Sequence, residues 1–223
     1  MFKMRNILCY GDSNTWGFIP KKGGRYPADV RWTGRLAGAL GSDYLVKEEG
    51  LCGRTTSYEL PLEPDRNGFK TFPIILESAL PLDLVILMLG TNDRRMQICA
   101  SPQESALAME RYIQYIRMEA LRTGDHSPEI LIISPPLIEK RALETEVGFY
   151  YGEKSIRDCQ NLAKEYRRLS QQHHCAFLDA SRVCGASRED GVHLDDLGHR
   201  ELARAVLEKV QGIFHKNSLE EIE

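Results

Sequence analysis

Leu84-Val85-Ile86-Leu87-Met88-Leu89, closed by Gly90-Thr91-Asn92-Asp93, is the stretch on which the fold turns. An unbroken apolar run with no polar alternation predicts a strand covered on both faces, as in a parallel sheet flanked by helices. It is also far too short to span a bilayer. Further strands are expected at Asn6–Tyr10, Tyr44–Lys47, Ile130–Ser134 and Ala176–Leu178. Longer amphipathic segments separate them. Arg31–Leu40 reads as a helix stopped by Gly41, and Ser101-Pro102-Gln103-Glu104 as a capping box that opens a helix to about Arg122, with Gly124 beyond it. Two more helices are expected from about Glu153 to Gln172 and from about Asp196 to Phe214. This alternation predicts an α/β fold: a three-layer α/β/α, flavodoxin-like domain with a five-stranded parallel sheet in the order 2-1-3-4-5.

The bulk properties narrow the class. A chain of 223 residues suits a single domain, 1–223, and 42% hydrophobic with 27% charged residues is ordinary for a soluble protein. A formal charge of −3 with scattered basic residues gives no reason to expect nucleic acid as a partner. No signal-peptide h-region and no membrane-length run is visible, so the expected location is cytoplasmic, with no membrane partner. The six cysteines, Cys9, Cys52, Cys99, Cys159, Cys175 and Cys184, form no CxxC pair and no zinc-like spacing. They are read as thiols, mostly buried.

Four segments carry the chemistry: Gly11-Asp12-Ser13-Asn14, Gly50-Leu51-Cys52-Gly53-Arg54-Thr55, Gly90-Thr91-Asn92-Asp93 and Asp190-Gly191-Val192-His193. They follow expected strands 1, 2, 3 and 5, so a parallel sheet gathers them at its carboxyl edge, where ligands bind. Ser13 at a strand-to-helix turn can present its hydroxyl to a cleft. A serine needs a base to become a nucleophile. His193, three residues after Asp190, can set Nδ1 against the carboxylate and leave Nε2 for Ser13. The Asn92 amide and a backbone N–H at Gly53 are suitable donors to a tetrahedral oxyanion, as are N–H groups at the Ser13 turn.

These residues resemble the conserved blocks of the SGNH hydrolases, also called GDSL esterases and lipases. Ser13, Gly53, Asn92 and His193 match the residues that name the family, and Asp190 matches its usual triad acid. Asp29-Val30-Arg31-Trp32-Thr33-Gly34, Glu48-Glu49-Gly50-Leu51, Pro81-Leu82-Asp83-Leu84-Val85-Ile86 and Ser134-Pro135-Pro136 resemble the bacterial arylesterase and acyltransferase branch. The resemblance implies hydrolysis of short acyl esters through an acyl-enzyme, with transfer to alcohols as well as water, and with neither cofactor nor metal. It implies Ser13, Asp190 and His193 as catalytic residues and Ser13, Gly53 and Asn92 as the oxyanion hole. Asn14 stands where the tetrad has leucine, and Gly50 competes with Gly53 for the oxyanion role.

Each motif also has a plainer reading. Gly-Asp-Ser is ordinary turn chemistry, and Asp12 reads better as a cap than as a catalyst. Asp12, Trp16, Arg95 and Val192 are the candidates for substrate contact, although Arg95 could equally be a solvated surface residue. Two rivals remain: a two-metal phosphoesterase, for which the accompanying histidine motifs are missing, and a non-catalytic binding module of the same fold. The stretches 16–29, 52–72 and 135–152 lack a clear period and hold Trp16, Phe18, Phe69, Phe149, Tyr150 and Tyr151. Aromatic loops beside a site commonly mark a ligand groove or a subunit interface, and the resemblance to the arylesterase branch implies both: a small, partly closed acyl pocket and a homo-oligomer, with a small-molecule ester as the substrate.

Overall fold

The structure, a computed structural model, describes residues 4–220, with side chains of the last helix described as far as His215. Its strands are β1 (Arg5–Gly11), β2 (Tyr44–Gly50), β3 (Leu84–Met88), β4 (Glu129–Ser134) and β5 (Ala176–Asp179). They form one sheet in the order β2-β1-β3-β4-β5, every neighbouring pair parallel. The helices are α1 (Ser13–Trp16), α2 (Trp32–Leu40), α3 (Gly68–Ala79), α4 (Pro102–Thr123), α5 (Glu153–Gln172) and α6 (Asp196–Glu220).

The sheet divides the core into two layers, and the strands show why their hydropathy does not alternate. On β1, Leu8 and Tyr10 face one layer while Ile7 and Cys9 face the other; on β3, Val85 and Leu87 oppose Leu84, Ile86 and Met88. The first layer is filled from α3, α4 and α5 by Phe72, Leu76, Met109, Tyr112, Ile113 and Tyr166. The second is filled from α2 and α6 by Trp32, Leu36, Leu202, Val206 and Val210. Each large apolar side chain removed from water contributes about 1.5–3 kcal/mol. α4 begins as its sequence dictates: Ser101 caps it, Glu104 reaches back to the Ser101 N–H at 2.7 Å, and Gly124 closes it at φ +72°.

Three segments depart from the sequence expectation. Residues 68–72, expected to be irregular, open α3, which carries Pro73 inside it. Proline removes one helical donor and argues against a helix, but Gly68, Phe72, Leu76 and Ala79 bury one face, and that packing decides. β2 continues past Lys47 through two glutamates to Gly50, because pairing with β1 runs to Gly11↔Gly50 and the Glu48 carboxylate is held by Arg31 and Thr33. The stretch 135–152 folds into two short 3-10 turns, Lys140–Glu144 and Glu146–Phe149.

Candidate active site

β1 ends where α1 begins, and that junction sets the geometry. Asp12 caps α1 by accepting the Asn14 N–H at 2.9 Å, which leaves Ser13 as the first helical residue with its N–H beyond the reach of any intrahelical acceptor. The Ser13 hydroxyl lies 3.0 Å from His193 Nε2, across 180 residues of sequence. His193 Nδ1 lies 2.7 Å from Asp190 Oδ2. The other Asp190 oxygen accepts the backbone N–H groups of Val192 and His193, both at 2.9 Å, so one carboxylate shapes the loop and aims the ring. Burial alone would raise the Asp190 carboxyl, but the His193 ring and these two N–H groups hold it below the ordinary value. An ionised Asp190 keeps the Nδ1–H tautomer and leaves the Nε2 lone pair facing Ser13. Phe18 covers the imidazole, ring centroids 4.5 Å apart.

The second and third motifs are stapled together. Asn92, buried on a short turn after β3, donates its amide to the Arg54 carbonyl at 3.0 Å. An amide carries two N–H groups, so a second remains for a ligand. Asp93 accepts the Thr56 N–H at 2.8 Å, the Thr56 hydroxyl at 2.7 Å and the Ser105 hydroxyl at 2.6 Å. Arg54 then reaches the Gly11 carbonyl at 2.8 Å, tying both motifs to the end of β1. Gly53 sits in the tight turn before Arg54 at φ +78°, a conformation that favours glycine. Gly50 needs glycine for another reason: a Cβ there would stand 2.1 Å from the Trp16 nitrogen. Gly50 lies in β2 opposite Gly11, whereas Gly53 lies in the turn that follows the strand.

This arrangement, a hydroxyl, an imidazole and a carboxylate in one hydrogen-bonded chain, suits acyl transfer. The GDSL-like Lipase/Acylhydrolase family model matches residues 9–201. The chain belongs to this family. It is a carboxylic ester hydrolase with the SGNH hydrolase fold. Among solved structures, the native aryl esterase of M. smegmatis is 36% identical with a TM-score of 0.87, the match covering 93% of this chain and 99% of that one. A carbohydrate acetylesterase family member from Sinorhizobium meliloti is 37% identical with a TM-score of 0.87, covering 93% and 98%. A lipase/acylhydrolase from Enterococcus faecalis, 20% identical with a TM-score of 0.67 over 94% and 96%, shares the fold. No curated protein sequence matches this chain.

The four residues considered for substrate contact in this GDSL hydrolase lie in different settings. Asp12 is fully buried, and burial pushes its carboxyl up to about 6; the carboxylate caps α1 rather than facing a cleft. Val192 is buried too, in a small cluster with Ile138, Ala142, Tyr151, Ile156 and Cys159, where it anchors the loop carrying His193. Trp16 is half-buried at the end of α1, with the Arg25 guanidinium 5.5 Å from its ring. Arg95 is no solvated surface residue: its Nε donates to Asn92 Oδ1 at 3.0 Å, and Nη1 pairs with Glu63. Cys52, next to Gly53, has its thiol pushed up to about 11 by burial and then by Asp12, so it stays protonated at neutral pH and does not rival Ser13 as a nucleophile.

Two contributors escaped the sequence reading. Asn14 meets the His193 loop with both ends of its amide, and Glu63 holds Arg95. The departure from leucine at position 14 was the only signal for the first; nothing in the sequence marked the second. A separate cleft of 720 Å³, lined by Lys21, Lys22, Tyr26, Glu189 and Asp195 among others, includes neither Ser13, Asn92 nor His193.

Proposed function

We propose that this enzyme hydrolyses short-chain acyl esters, acetyl or aryl, through Ser13, His193 and Asp190, and passes the acyl group to alcohols as well as to water. The single observation that carries the reading is that His193 bonds Ser13 Oγ on one nitrogen and Asp190 on the other. Ser13 Oγ attacks the ester carbonyl as its proton moves to Nε2, and Asp190 stabilises the imidazolium. The tetrahedral oxyanion accepts N–H groups from Ser13, Gly53 and the Asn92 amide. Collapse expels the alcohol, which takes the proton from His193, and leaves an acyl-serine. Water, or a second alcohol, then attacks the acyl-serine while Nε2 accepts its proton, and the acid or a new ester departs as Ser13 is restored.

The short-chain preference is supported by the similarity to an aryl esterase and a carbohydrate acetylesterase. It is supported too by Phe18 standing over the imidazole. Exposed Leu62, Met96 and Phe149 in the loops after β2, β3 and β4 favour a homo-oligomer. Among the described residues no helix is long and apolar enough to cross a membrane.

A fluorophosphonate probe tests the mechanism. It is expected to label Ser13 in the native protein and to leave Ser13→Ala unlabelled. Labelling at another serine, or ester turnover by Ser13→Ala at the native rate, would overturn it. Acyltransfer is tested separately, by the ratio of new ester to acid formed from p-nitrophenyl acetate in the presence of a primary alcohol.

A further inference from the structure

Arg95 stands behind the Asn92 amide, on the side away from its N–H groups. Its Nε donates to Asn92 Oδ1 at 3.0 Å. Asn92 Nδ2 spends one hydrogen on the Arg54 carbonyl, also at 3.0 Å. The amide is thereby fixed at both ends, with its oxygen and nitrogen assigned by their partners. The guanidinium is itself restrained on two sides. Nη1 pairs with Glu63, the Tyr150 ring lies 4.3 Å from its carbon, and the Met96 N–H binds the Tyr150 carbonyl at 2.8 Å, which holds ring and loop together. The Arg95 side chain is only 9% exposed, so these restraints act with little competition from water. Glu63 also touches the other oxyanion motif: a Cβ on Gly53 would lie 3.0 Å from Glu63 Oε2.

We propose that Arg95 is a positioning residue of the oxyanion hole, aiming and polarising the Asn92 amide, with Glu63 and Tyr150 fixing the guanidinium. A cation donating to an amide oxygen draws electron density from the amide nitrogen and strengthens the remaining N–H as a donor. The strengthened donor acts where negative charge appears in the transition state and not in the bound ester. The effect therefore falls on kcat more than on KM. The inference rests on the reading of the site as an acyl-transfer centre.

A double-mutant cycle with p-nitrophenyl acetate tests it. Arg95→Met is expected to lower kcat roughly 10- to 100-fold with KM within about twofold, less than the loss of the Asn92 donor itself. Arg95→Gln places an amide nitrogen where Nε stands, keeping the donor but not the charge, and is expected to lose less than Arg95→Met. Because Arg95 acts through Asn92, adding Arg95→Met to Asn92→Ala should cost nothing further. Losses that multiply, an Arg95→Gln as impaired as Arg95→Met, or an Arg95→Met with native kcat would each overturn the proposal. Thermal melting establishes that every variant is folded; if Arg95→Met does not fold, the cycle is run with Arg95→Gln, which retains the same stem. Ser13→Ala is carried alongside. Residual native activity in Ser13→Ala would remove the acyl-transfer reading, whereas an inert Ser13→Ala with multiplying Arg95 and Asn92 losses would remove this inference alone.

Discussion

Asn14 Oδ1 accepts the backbone N–H of Leu194 at 2.9 Å, so the residue after the nucleophile holds the residue after the base. The same amide donates to the Val192 carbonyl at 3.4 Å, which brackets His193 from both sides. The distance between Ser13 and the imidazole is therefore fixed by a neighbour of each. Asn14→Leu, which restores the usual tetrad residue, should leave the Leu194 N–H unpaired at a cost of about 1–3 kcal/mol. It should also slow fluorophosphonate labelling of Ser13. Melting curves and labelling rates measure the two effects, and native values for both would show that the bracket is incidental.

Ser13→Ala and His193→Ala should each lower kcat by roughly 10⁴-fold, because the proposed triad would act as a unit. Asn92→Ala should cost about 10²–10³-fold through loss of one oxyanion donor. EDTA should leave the native rate unchanged, since the proposed base is an imidazole; among the described residues no cluster of His, Cys, Asp and Glu is suited to a metal ion. Steady-state kinetics on purified variants checks all three, and inactivation by EDTA would revive metal-assisted hydrolysis.

His199 should make the fold sensitive to mild acid. It is fully buried, its Nδ1 accepts the Trp32 N–H at 3.3 Å, and burial, reinforced by Arg35, lowers its pKa to about 4. A base whose folded pKa lies below its unfolded value binds its proton more readily when unfolded. Its penalty is absent above about 6.5 and grows as pH falls toward 4, by about 1.4 kcal/mol per unit. Asp12, pushed up to about 6, gives the opposite slope over the lower part of that range, so only a comparison isolates His199. His199→Asn keeps an acceptor for Trp32 and cannot be protonated. Its stability relative to the native protein, from urea unfolding, should improve by up to about 3 kcal/mol between pH 7 and pH 4. A constant difference across that range would contradict the assignment.

Acetyl and other short esters should turn over faster than long-chain ones, and the mass in solution should be a multiple of 25.3 kDa. A chain-length series of p-nitrophenyl esters and light scattering test the two independently. Faster cleavage of long chains would remove the narrow acyl pocket. A monomer at all concentrations would leave Leu62 and Phe149, 90% and 73% exposed, as surface without an interface.

The sequence by itself determined the sheet and marked Ser13, Asn92, Asp190 and His193 as the groups on which the proposed mechanism rests. Apolar runs such as Leu84–Leu89 declare their own burial, and each chemical group sits directly after a strand or a turn, so local order predicts where it emerges. Helix α3 was hidden because Pro73 lowers local helix propensity, and the burial of Phe72 and Leu76 that overrides it is a long-range effect. The end of β2 was hidden because Glu48 reads as solvent-facing until Arg31 and Thr33 are brought to it. Tertiary structure alone decided which side chains hold the reacting groups in place. Asn14 meets residues 178 and 180 positions away, and Arg95 meets Glu63 across 32, contacts that no local period encodes. A hydrogen bond needs its donor and acceptor within about 3 Å, and only the closed sheet and its loops bring these pairs to that distance.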